Sequence, residues 1–180
     1  EHSEVNGIIS FINNLRFKTD FGQVVFNQST MRDEINRRPV AISGGDHLYI
    51  SYNDTAYNLY RKTFDATSVS NRGTLILTSP SAFDFCYISG TNVVIQWTDS
   101  KLYLKDITDG NSTSPGSLFL DYNGQFMCYN SDSAELIYSY YNGSSYYVYK
   151  KSINDTNTGS LGTQLTTTEH YIDKWYVGNN

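Results

Sequence analysis

Three stretches of the chain set an aromatic residue immediately before a polar turn: YNDT from Tyr52, WTDS from Trp97 and YNGS from Tyr141. An aromatic face can stack on the C–H face of a sugar ring while neighbouring Asn, Asp and Ser side chains take its hydroxyls. Tyr52, Asp54, Trp97, Asp99, Tyr141 and Asn142 are therefore candidate ligand contacts. Phe11 precedes Asn13-Asn14 in a similar way. The same aromatics also suit packing within a sheet, and the residues leave both readings open.

A second candidate surface lies in NQSTMRDEINRRPV, residues 27–40, where Arg32, Asp33, Glu34, Arg37 and Arg38 crowd into seven positions. Loops on a rigid scaffold often carry function, so Arg37 and Arg38 are further candidates, for a protein partner or an assembly contact. A solvated loop or short helix would look the same.

Catalytic chemistry finds little support. His47 stands beside Asp46 and His170 follows Glu169, but no G-x-S-x-G or other pattern marks a nucleophile among 21 serines. Asp33, Glu34, Asp54, Asp99 and Asp121 could in principle supply the paired carboxylates of a glycoside hydrolase. Asp54 and Asp99, however, fall where turn geometry alone calls for Asp. No catalytic residue is assigned, and the chain is not expected to be an enzyme. There is no CxxC and no D-x-D-x-D-G spacing, so neither a metal site nor a cofactor is expected. Cys86 and Cys128 occupy matching places in successive repeats, as a disulfide or as two buried thiols.

What must position these residues is a β scaffold. Sixteen Tyr, 17 Asn, 21 Ser and 17 Thr stand beside two Met and three Pro, strand formers alternating with turn formers. No 3.6-residue apolar stripe emerges, and the expected fold class is all-β. Lys and Arg number 13 against 18 Asp and Glu, which argues against a nucleic-acid partner. No apolar run is long enough for a membrane-spanning helix. The opening EHSEVNG, without an initiator Met or a signal sequence, suggests a processed or excised chain. Such composition is common in extracellular, cell-surface and virion-surface proteins. Five N-x-S/T sequons occur, at Asn27, Asn53, Asn111, Asn142 and Asn154; with this much Asn, Ser and Thr their number alone does not indicate glycosylation and does not exclude it.

The chain also repeats. YNDTAYNLYRKTF (52–64) and YNGSSYYVYKKSI (141–153) superpose, and WTDSKLYLKDI (97–107) and IISFINNLRFK (8–18) follow the same strand–turn–strand plan. GQVVF, GTLIL, GSLFL and GTQLT begin at 22, 73, 116 and 162, each after a hairpin. RPVAIS (38–43), DFCYIS (84–89) and FMCYNS (126–131) precede three of the hairpins. Four strands in about 45 residues is the period of a propeller blade.

On these repeats the chain resembles the β-propeller superfold in a four-bladed form, like hemopexin-type domains in blade number. The resemblance implies a single 1–180 domain, with blades at about 1–37 plus 168–180, 38–82, 83–124 and 125–167. The ring would close by pairing of the C-terminal strand with the N-terminal blade. A larger assembled propeller and an irregular sandwich remain open. The expected function is non-catalytic attachment to a cell-surface glycan or protein receptor through loops on one face, as part of a larger particle or oligomer. An assembly module making protein–protein contacts is the alternative, and a glycoside hydrolase a more distant one.

Overall fold

A computed structural model describes residues 18–19, 23–24, 39–42, 44–52, 55–63 and 72–168. The described residues hold fourteen strands and no helix. By chain contacts the protein falls into two compact units, Glu1–Thr78 and Ser79–Asn180.

In the first unit, β1 (Lys18–Thr19) pairs antiparallel with β2 (Gln23–Val24) in a two-residue ribbon. The sheet that follows is made of β3 (Val40–Ala41), β4 (Asp46–Tyr52), β5 (Tyr57–Thr63) and β6 (Thr74–Ser79), in the order β3-β4-β5-β6. The second unit has two more sheets. One contains β7 (Asp84–Ser89), β8 (Asn92–Gln96), β9 (Leu102–Asp106) and β10 (Ser117–Leu120). The other contains β11 (Gly124–Asn130), β12 (Glu135–Tyr141), β13 (Tyr146–Ser152) and β14 (Thr163–Thr168). Strands adjacent in sequence are adjacent in each sheet, giving three antiparallel meanders.

Alternation explains the packing. In β12, Leu136 and Tyr138 are fully buried on one face, and Ile88, Val94, Leu102, Phe119, Leu120 and Phe126 join them in one cluster shared by both sheets of the second unit. Each such side chain contributes about 1.5–3 kcal/mol when removed from water.

The expected four-bladed ring is not supported. Among the described residues there are three four-stranded sheets and one short ribbon, and no closed sheet or propeller ring. The hemopexin-like resemblance in blade number goes with it. A period near 45 residues reports four strands and their loops, and sheets that never close have the same period. Of the blade invoked for closure, 1–37 plus 168–180, only Lys18–Thr19, Gln23–Val24 and Thr168 are among the described residues.

The three sheets share a device that the repeat alignment only brushes. The lysine that ends each RK, LK or KK step is buried: Lys62 is 4% exposed, Lys105 1% and Lys151 2%. Each stands eleven positions before a left-handed glycine, Gly73, Gly116 or Gly162. A Cβ on those glycines would come within 2.2, 2.0 and 2.3 Å of the carbonyl oxygens of Arg61, Leu104 and Lys150. No other residue fits so close to the neighbouring strand.

Burying a lysine is costly unless its three donors find acceptors. The Lys105 amine donates to both Asp109 oxygens at 2.9 Å and to the Asn111 carbonyl at 2.8 Å. Lys151 donates to the Asn157 carbonyl at 2.6 Å and lies 3.7 Å from Asp155. The same amine donates to the Phe119 carbonyl at 3.2 Å and sits 4.8 Å from the Phe119 ring centre, tying the two sheets of the second unit together. Burial lowers the Lys151 pKa, with Asp155 acting in the opposite sense. Both loops share one pattern: Asp at Lys+4, Asn at +6, Ser at +9 and Gly at +11. The Asp receives the Asn amide at 2.9 Å and the Ser hydroxyl receives the Gly amide at 3.2 Å, in each loop.

Candidate functional site

Each predicted aromatic in the described residues faces a partner on the neighbouring segment. Tyr52, closing β4, lies against Tyr57, opening β5, with ring centres 4.8 Å apart and planes at 39°. Tyr141 and Tyr146 repeat this at the β12–β13 tip, at 4.7 Å and 31°. Directly opposed cross-strand aromatics explain both pairs. Trp97 instead packs on Phe83, ring centres 5.7 Å apart. Phe83 is buried and Trp97 half-buried, whereas Tyr141 is 39% exposed. Of the three, Tyr141 offers the most accessible ring.

The polar groups beside them are largely engaged in their own turns. Asp99 accepts the Lys101 amide at 3.0 Å on one oxygen and the Tyr103 hydroxyl at 2.7 Å on the other. Burial first, then the hydrogen bond to Asp99 and the charges of Asp99 and Asp121, push the Tyr103 pKa up to about 12. The Asn142 side-chain oxygen accepts from the Ser144 amide and hydroxyl at 3.0 Å and from the Ser145 amide at 2.9 Å. Its amide nitrogen donates to the Tyr147 hydroxyl at 3.2 Å, and the Tyr141 hydroxyl donates to the Gly143 carbonyl at 2.7 Å. Asp99 and Asn142 thus stiffen the tips that present the aromatics. Ligand contact by their remaining lone pairs would be secondary to that role.

The β8–β9 tip also meets the β10–β11 connection. The Gly124 amide donates to the Ser100 carbonyl at 3.0 Å, and Lys101 pairs with Asp121 at 2.6 Å. Behind the β12–β13 tip, Tyr140 is surrounded by Tyr122, Tyr147 and Tyr149 at 5.6–6.4 Å between ring centres. This tyrosine cluster was not singled out in the sequence, although YSYYNGSSYYVY displays it as alternation on the two arms of one hairpin.

The remaining candidates divide between engaged and undescribed residues. Asp54, Arg37 and Arg38 lie outside the described residues, as does the rest of the 27–38 segment. Asp46, the acid beside His47, receives Arg61 Nε and the Thr63 hydroxyl, each at 2.5 Å. The Thr63 bond and the Arg61 guanidinium hold its pKa down against the opposing effect of burial. Asp46 therefore belongs to a cross-strand network that Lys150 and Glu135 reproduce in β12–β13 at 3.1 Å. Cys86 and Cys128 are not joined in a disulfide; the Cys86 thiol donates to the Tyr87 carbonyl at 3.6 Å, and burial raises the Cys128 pKa. Among the described residues, no group of three His, Cys, Asp or Glu side chains could hold a metal ion.

No protein-family model matches the chain, and neither a curated protein nor a solved structure matches it.

Proposed function

We propose that the chain is a non-catalytic recognition module that binds a glycan or receptor through its hairpin tips, outside the cytoplasm, on a cell or virion surface. The observation that carries this reading is the recurrence of one aromatic step. Tyr52–Tyr57 and Tyr141–Tyr146 occupy equivalent tip positions in two sheets with nearly the same spacing. Among the described residues, Tyr141 is one of three large apolar side chains left exposed, with Leu75 and Leu165. Its turn is braced by Asn142, so an incoming ring meets a surface that has little ordering left to do, which is where affinity is usually lost. A shallow aromatic step of this kind binds weakly alone, and several copies on a particle or oligomer strengthen it.

The ligand is therefore expected to present a C–H face, as pyranose rings do. The test compares the wild-type chain with Tyr141→Ala and Tyr52→Ala on an array of glycans, each chain displayed singly and as a multimer. Binding of the multimer, lost in Tyr141→Ala with its melting transition retained, supports the reading. Binding that is indifferent to both substitutions refutes the tips as the site.

A further inference from the structure

We propose that Asn111 is the acceptor of an N-linked glycan. The inference rests on the extracellular reading above and adds a covalent modification to it. Among the sequons in described residues, Asn111-Ser112-Thr113 combines three properties. Asn111 is exposed, in the loop between β9 and β10. Its side-chain oxygen accepts both the Thr113 amide and the Thr113 hydroxyl at 3.1 Å. These bonds draw density towards the oxygen and make the amide protons easier to remove. The loop is also held from inside, because the buried Lys105 amine grips the Asn111 carbonyl at 2.8 Å. The backbone is thus anchored inward while the side chain stands in solvent.

The other two sequons among the described residues are less suited. Asn142 is also exposed and shares both contacts, from the Ser144 amide and hydroxyl at 3.0 Å, but one of its two N–H groups is engaged by the Tyr147 hydroxyl. A glycan there would leave a single N–H for that bond and would stand beside the Tyr141–Tyr146 pair. Asn154 is exposed, but among the described residues no hydrogen bond joins its side chain to Thr156.

The loop leaves β9 at the end opposite the Trp97–Lys101 tip, so a glycan on Asn111 leaves that tip uncovered. In the transfer, Asn111 Nδ2 attacks C1 of the reducing-end sugar of a polyprenyl-diphosphate-linked oligosaccharide. The C–N bond forms, the C1–O bond breaks with its electron pair on the departing diphosphate, and one Nδ2 proton passes to a base of the oligosaccharyltransferase.

The experiment is to produce the full chain behind a cleavable secretion leader in eukaryotic cells. Secreted and cell-retained chains are both digested with peptide-N-glycosidase in heavy-oxygen water, and every sequon is mapped by mass spectrometry. The expected result is heavy-isotope Asp at position 111 in most chains, abolished by Thr113→Ala. Asn111→Gln should remove the same glycan mass while leaving the melting transition in place. Label at Asn142 or Asn154 with none at Asn111, or no label anywhere, would overturn the proposal. Glycan binding is measured separately on Asn111→Gln, so the acceptor site and the recognition function can fail independently.

Discussion

Replacing Asp109 should destabilise the protein more than replacing the lysine it pairs with. Lys105 is almost wholly buried and its amine makes three hydrogen bonds, two of them to Asp109. In Asp109→Asn the ammonium stays buried with its charge uncompensated, the situation that costs about 3–5 kcal/mol in a protein interior. The new amide oxygen can still accept one bond, which brings the expected loss to about 3 kcal/mol. In Lys105→Met the buried charge disappears along with its desolvation penalty. Asp109, 35% exposed, returns to water, and only the loop contacts are lost, at about 2 kcal/mol. The double variant should cost less than the sum of the two, with a coupling of about 1–2 kcal/mol. The assay is urea denaturation of the full chain at neutral pH, with peptide-resolved hydrogen exchange over residues 107–116. Lys101→Met, which breaks the half-exposed pair with Asp121, is the control and should leave the midpoint unchanged. The reasoning is refuted if Lys105→Met costs under about 0.5 kcal/mol, as a surface substitution would, or if Asp109→Asn is the milder change.

Gly116→Ala and Gly162→Ala should each cost more than the ~1–2 kcal/mol of a left-handed backbone alone, because the new methyl meets a carbonyl of the adjacent strand. Gly143→Ala has open space and should cost only the backbone component, so comparing the three melting temperatures checks the clash. Tyr103 should be seen by tyrosine NMR to ionise near pH 12, and Asp99→Asn should bring it down. Between pH 10 and about 12 the folded state keeps that proton while the unfolded state loses it, so stability falls as pH rises through this window, less steeply in Asp99→Asn. Tyr138→Phe removes the hydroxyl that donates to the Leu161 carbonyl at 2.5 Å and should cost about 1–2 kcal/mol by denaturation.

The hairpins were legible because their alternation and turn residues act locally. YNDTAYNLYRKTF and YNGSSYYVYKKSI cover the tips and second strands of β4–β5 and β12–β13, and GTLIL, GSLFL and GTQLT open the fourth strands. Ring closure was not legible, since it depends on how sheets meet and not on how each is built. The superposed segments align Arg61-Lys62 with Lys150-Lys151, but the division of labour within each pair is set by strand geometry. Successive side chains point to opposite faces, so Arg61 and Lys150 reach cross-strand acids while Lys62 and Lys151 go inward. The signal that could have separated them was the eleven-residue interval from each buried lysine to its glycine. At the tips, Asp99 and Asn142 suit a ligand and a turn equally by residue type, and the structure shows the turn claiming most of their hydrogen bonds.

The central claim is that an aromatic step braced by its own turn recognises a ligand at the hairpin tips. Multimeric display of the unglycosylated chain on a broad glycan array, beside the Tyr141→Ala variant, tests it most directly. The account predicts a defined set of bound glycans for the wild type and loss of that set in the folded variant. Silence of the wild type in both monomeric and multimeric form, or equal binding by the variant, would contradict it.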